Sequence, residues 1–143
     1  MNPEQKKFLQ KRLRSAVASQ PELKSLKSLL LKLGGEMLVA PAGPDADVPA
    51  LLQQGFCMSG AVRLKVMERN GCHKNVASVW RQQKFGVVGI ATGYALQTDG
   101  LWRQHSWGVL RDGILETTVE NSKYFGILMQ GESADRFVAL NSV

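Results

Sequence analysis

Asp99-Gly100 and Asp112-Gly113 separate three stretches rich in Val, Ile, Thr and aromatic residues, and a chain so punctuated folds back on itself. An Asp-Gly pair suits the positive-φ positions of a tight hairpin turn, which drives the flanking residues into antiparallel pairing. The spacing predicts strands over 85–97, 101–110 and 114–119, with both Asp-Gly pairs spent on turn geometry rather than chemistry. Gly86, Gly89 and Gly93 read as strand bends, because no GxGxxG followed by a helix and no GKS or GKT is present.

Upstream, the apolar period changes to that of helices. Phe8, Leu9, Leu13 and Val17 follow Pro3 at helical spacing, and Pro21 interrupts them. Leu23, Leu26, Leu29, Leu30 and Leu33 form a second stripe that Gly34-Gly35 ends. The run Pro41-Ala42-Gly43-Pro44-Asp45-Ala46-Asp47 has no periodicity and reads as a loop and boundary. A helical turn over 48–52 is expected next, then a mostly buried helix over 56–67 closed by Asn70-Gly71, a short helix over 75–83, and a last helix over 132–140. This order predicts an α+β fold in which N-terminal helices pack on a small antiparallel sheet. At 143 residues and 44% hydrophobic, the chain suits a single domain over 1–143, comprising a helical hairpin over 1–36 and a core over 48–140.

The net charge of +6 is concentrated at the start, where eight Lys and Arg face three Glu over residues 1–36. This makes the hairpin basic and open to an acidic partner, although a solvated helical face is the plainer account of such a run. No apolar run reaches the 18 residues of a membrane span, and no apolar signal segment follows the polar, basic residues 1–14. Two cysteines are too few for a disulfide framework, so a cytoplasmic protein with free thiols is the expectation.

A thiol becomes a nucleophile where a helix N-terminus or a neighbouring imidazolium stabilises its anion. Cys57 follows Gln54-Gly55 and opens the helix expected over 56–67, near amide groups that can also receive an oxyanion. His105 lies within the predicted strand over 101–110, with Trp107 on the same side two residues on. The turn at Arg111-Asp112-Gly113 brings Glu116 back toward His105, where a carboxylate holds the imidazole tautomer and stabilises its protonated form.

The fragments Gly55-Phe56-Cys57, His105-Ser106-Trp107, Leu115-Glu116-Thr117-Thr118 and Tyr124-Phe125-Gly126 together resemble the core of papain-like and transglutaminase-like cysteine enzymes. The resemblance covers residues 53–126 and leaves the N-terminal helices unmatched. It implies a core with the nucleophilic cysteine at a helix N-terminus, Cys57 as nucleophile, His105 as general base and acid, and Glu116 as the orienting member. That third position is usually Asp or Asn in the group. Gln53 or Gln54 is implied as the oxyanion partner, with Trp107 at the substrate wall. The implied chemistry is acyl transfer through a Cys thioester on an amide, peptide or isopeptide bond of a protein, peptide or other substrate, as in a thiol protease, amidase, deamidase or transglutaminase. No cofactor and no metal are expected.

Other readings compete. Cys72-His73 offers an alternative nucleophile, ranked second because no helix start or apolar run is visible behind it; a surface thiol is the plainer reading. A zinc site joining Cys72, His73, Cys57 and His105 lacks the paired short spacings of structural zinc. Arg63, Lys65, Arg69, Lys74, Arg81 and Lys84, with the basic hairpin, suit a nucleic-acid-binding or protein-binding module, but no stacking motif accompanies them. A catalytically inactive relative of the same fold is the third reading.

Overall fold

Asn2 opens the first helix: its side-chain oxygen accepts from the Gln5 N–H at 2.8 Å while the Gln5 side chain accepts from the Asn2 N–H at 3.3 Å. In this computed structural model, which describes residues 1–142, that helix is α1 (Pro3–Ser19), and α2 (Leu23–Leu33) follows. Val143, the last residue of the predicted domain, lies outside the described residues. The leucine stripe faces inward: Leu23, Leu26 and Leu30 are fully enclosed, packed with Tyr94, Trp102 and Phe125 of the sheet. α1 is held more lightly, with Leu13 its one buried side chain. The loop after α2 is anchored too. Asp45 is buried, accepting from the Tyr94 hydroxyl at 2.9 Å, while its backbone exchanges two hydrogen bonds with the Gln20 side chain.

The remaining elements in chain order are β1 (Met37–Leu38), α3 (Val48–Gln54), β2 (Phe56–Met58), β3 (Ala61–Leu64), α4 (Cys72–Gln82), β4 (Gly89–Leu96), β5 (Leu101–Leu110), β6 (Gly113–Glu116), β7 (Lys123–Met129) and α5 (Gly131–Asn141). The expected α+β class is present. The sheet is larger and more mixed than the three-stranded meander expected, with order β2-β7-β4-β5-β6-β3 and β1 added in parallel beside the start of β5. β3 and β6 are also parallel. The sheet is strongly curled, since Met58, Val62, Ala91, Ala95, Trp107, Ile114 and Tyr124, drawn from all six strands of that path, meet in one cluster on its concave side. No helix among the described residues is long and apolar enough to cross a membrane.

Two expectations are corrected. The segment 56–67 holds strands β2 and β3 and no helix, because Val62, Leu64 and Val66 alternate with Arg63 and Lys65 at the two-residue period of a strand. Cys57 therefore opens no helix. The helix expected over 75–83 starts a turn earlier, at Cys72, so Asn70-Gly71 leads into a helix instead of closing one. β7, with no expected counterpart, fills the sheet between β2 and β4.

Candidate active site

β5 positions the site because its outer edge is paired only at its ends. β1 takes Leu101 and Trp102, β6 takes Gly108 to Leu110, and the edge between them is open. The first turn of α4 is tied to both sides of this gap. The His73 Nδ1 and the Ser106 hydroxyl are 2.5 Å apart, and Ser106 is linked in turn to the Thr92 hydroxyl at 2.8 Å. Asn75, itself buried, donates to the Glu68 carbonyl at 2.8 Å and to the Thr117 hydroxyl at 3.3 Å. These bonds hold Cys72, the first residue of α4, beside His105, and the two side chains line one cavity.

His105 Nε2 meets Glu116 Oε1 at 2.8 Å, which leaves Nδ1 as the other ring nitrogen. Glu116 is fully enclosed, and a buried carboxylate is tolerable only when its oxygens are satisfied. Oε1 also accepts from Asn121 Nδ2 and the Tyr124 hydroxyl, both at 3.0 Å, and Oε2 accepts from the Thr118 N–H and hydroxyl, also at 3.0 Å. Burial opposes its ionisation, yet these partners, His105 first, hold its carboxyl below the usual range. Burial and the Glu116 charge push the Tyr124 hydroxyl upward, so it remains a donor.

Burial alone would raise the Cys72 thiol, but hydrogen bonds and charge from His105 and His73 outweigh it and bring the thiol down to about 5. Burial would likewise lower His105, while Cys72 and Glu116 raise it to about 9. Between these values the pair exists as thiolate and imidazolium. α4 adds the positive end of its dipole, and its N-cap, Gly71, makes no side-chain capping bond, so the first-turn amides are free to receive an anion.

No family model, no curated protein and no solved structure matches the chain.

The residues expected at the site divide sharply. His105 and Glu116 come together. Cys57 does not join them: register runs from Cys57 to Phe125, Tyr94 and Gln104 across β2, β7, β4 and β5, so Cys57 shares a sheet face with Gln104 while His105, the next residue, points to the other. The three strand steps amount to on the order of 14 Å along the sheet. Cys57 is exposed on β2. Gln53 and Gln54 lie at the exposed end of α3 and do not line the cavity at Cys72. Trp107 is completely buried and stands behind the imidazole, its ring stacked on His105 at 6.1 Å and edge-on to Tyr124 at 5.0 Å. It supports His105 from the interior and is not a substrate-facing wall.

A cavity of about 720 Å³ opens over the pair, with Cys72, His73, His105, Gln104, Arg69 and Arg103 among its lining residues. Sequence reasoning ranked Cys72 second to Cys57 and did not pair it with His105, and it missed the supporting roles of His73, Asn75, Ser106, Asn121 and Tyr124. The one available signal was Val76, Val79 and Trp80 at helical spacing, which extends back by one turn to Cys72. Gly71 is a silent cap, carrying none of the side chains that announce a helix start.

Proposed function

We propose that the protein is a cysteine-dependent acyl-transfer enzyme in which Cys72 is the nucleophile, His105 the general base and acid, and Glu116 the residue that orients and charges the imidazole. The observation that carries this reading is the convergence of Cys72, at the start of α4, and the Glu116-bonded His105 on one open cavity. It keeps the chemistry expected from the resemblance to papain-like and transglutaminase-like enzymes and moves the nucleophile from Cys57 to Cys72.

The steps follow from the charges. The Cys72 thiolate attacks a carbonyl carbon, and the oxygen takes up the negative charge facing the first-turn amides of α4. The intermediate collapses, the carbon–nitrogen or carbon–oxygen bond breaks, and the His105 imidazolium gives its Nδ1 proton to the leaving group. This leaves a thioester on Cys72 and a neutral imidazole. Water or an amine then attacks the thioester while His105 takes its proton, and the thiolate is expelled. Glu116 stays ionised throughout, because Thr118, Asn121 and Tyr124 stabilise its charge independently of His105.

An activated ester tests the reading without a known substrate. With p-nitrophenyl acetate, a burst of p-nitrophenol and an acetyl adduct mapping to Cys72 are expected, both lost in Cys72→Ala and retained in Cys57→Ala. A burst that survives Cys72→Ala or disappears in Cys57→Ala would overturn the assignment.

A further inference from the structure

The lining of the cavity is asymmetric in charge: Arg69 and Arg103 line it and no carboxylate does. The two arginines are not equivalent. Asp99 engages Arg103 through two hydrogen bonds at 3.0 and 3.2 Å, which largely neutralises that guanidinium. Arg69 has no salt bridge among the described residues. Its neighbour Glu68 turns instead to a separate depression, shared with Lys74 and Arg81.

Arg69 also sits on a fixed turn. The buried Asn75 amide and the Gly71 N–H both bond the Glu68 carbonyl, at 2.8 and 3.2 Å, and Asn70 holds a positive φ of 60°. The guanidinium is thus carried three residues before Cys72 on backbone braced by the same asparagine that steadies α4. Beside it the wall is apolar. Val66 and Val119 line the cavity with their side chains largely exposed, 70% and 52%, which leaves apolar surface uncovered next to an unpaired cation.

Resting on the acyl-transfer reading, we infer that the substrate carries an anionic group, such as a carboxylate, which Arg69 binds while an adjacent apolar portion covers Val66 and Val119. Arg69 is then a specificity residue. It recognises the substrate without taking part in bond making, and it discriminates against neutral analogues by leaving them without a partner for its charge.

Paired maleimides test this directly, because N-ethylmaleimide and 3-maleimidopropionate deliver the same ring with an uncharged or a carboxylated arm. The rate constant for each at Cys72 is measured by peptide mapping, with Cys57 in the same molecule as the reference. The carboxylated reagent is expected to be favoured at Cys72 relative to Cys57 by about three- to fivefold, the upper part of the range of an exposed ion pair. Arg69→Gln is expected to abolish that preference without changing the N-ethylmaleimide rate, and Arg69→Lys to keep part of it. A preference unchanged in Arg69→Gln, or none in the wild type, overturns the role of Arg69. Slow labelling of Cys72 by both reagents would count against the acyl-transfer reading instead, since the ratio is readable at any absolute rate.

Discussion

At the residue scale, Glu116 is where burial and charge are balanced most tightly. Five donor groups from His105, Thr118, Asn121 and Tyr124 meet its two oxygens, with the carboxylate enclosed. Glu116→Gln removes the charge and turns an amide nitrogen toward groups that are themselves donors. The expected cost is about 3 kcal/mol of stability, as for breaking a buried ion pair, measured by denaturant unfolding. In the folded fraction the same change should lower the His105 pKa and raise that of Cys72, since the imidazolium loses its partner. Titration of the His105 ring by NMR checks this: the expected midpoint falls from about 9 toward the ordinary 6.5. The dyad's second half was legible in sequence because a strand histidine and a carboxylate across an Asp-Gly hairpin are fixed by local register. The buried donors to Glu116 were not, because Asn121 and Tyr124 reach it from beyond β6.

At the element scale, two glycines shape the space in which His105 sits. Gly93 and Gly126 are paired across β4 and β7, and Gly93 is also opposite His105. A Cβ on Gly126 would fall 2.6 Å from the Thr92 carbonyl oxygen and 2.8 Å from the Trp107 ring. Gly126→Ala is therefore expected to destabilise by about 1–3 kcal/mol and to disturb the Trp107 ring that backs His105, read as a lowered Tm with altered tryptophan fluorescence. The start of α4 depends instead on hydroxyl contacts. Ser106→Ala leaves both His73 and the buried Thr92 hydroxyl without a partner, and a several-fold slower alkylation of Cys72 is expected together with about 1–3 kcal/mol of lost stability. Why the helix bearing Cys72 was misplaced follows from its residues. Asn70-Gly71 is chemically a turn, and a turn can end a helix or begin one. Val62, Leu64 and Val66 fit a strand by alternation, while Ala61, Leu64 and Met67 fit a helix by their three-residue spacing, so the wrong cysteine acquired the helix.

At the scale of the whole molecule, the site and the main core lie in different places. The leucines of α2 pack with Tyr94, Trp102 and Phe125, whereas Trp107, Tyr124 and the inner side chains of the curled sheet back the site. Leu26, fully enclosed, tests the separation. Leu26→Ala is expected to cost about 2–4 kcal/mol of stability while the alkylation rate of Cys72 in the folded protein stays within twofold of wild type. The helical hairpin and the α+β class were readable because period and turn chemistry are local properties. The curl of the sheet was not, since the parallel β3–β6 pairing joins residues about fifty apart and no local pattern encodes it.

The central claim is that Cys72, and not Cys57, is the activated thiol. Iodoacetamide labelling from pH 4 to 10, quantified separately for the two cysteine peptides, tests it most directly. The rate at Cys72 should rise through a midpoint of about 5 to a plateau, because its thiolate forms there, and change again only as His105 loses its proton near 9. At pH 6 it should exceed that of an unperturbed cysteine by roughly five- to tenfold, the larger thiolate fraction being partly offset by lower nucleophilicity. A rate at Cys72 that climbs only near pH 8.5, as for an ordinary thiol, or a low-pH reaction confined to Cys57, would contradict the account.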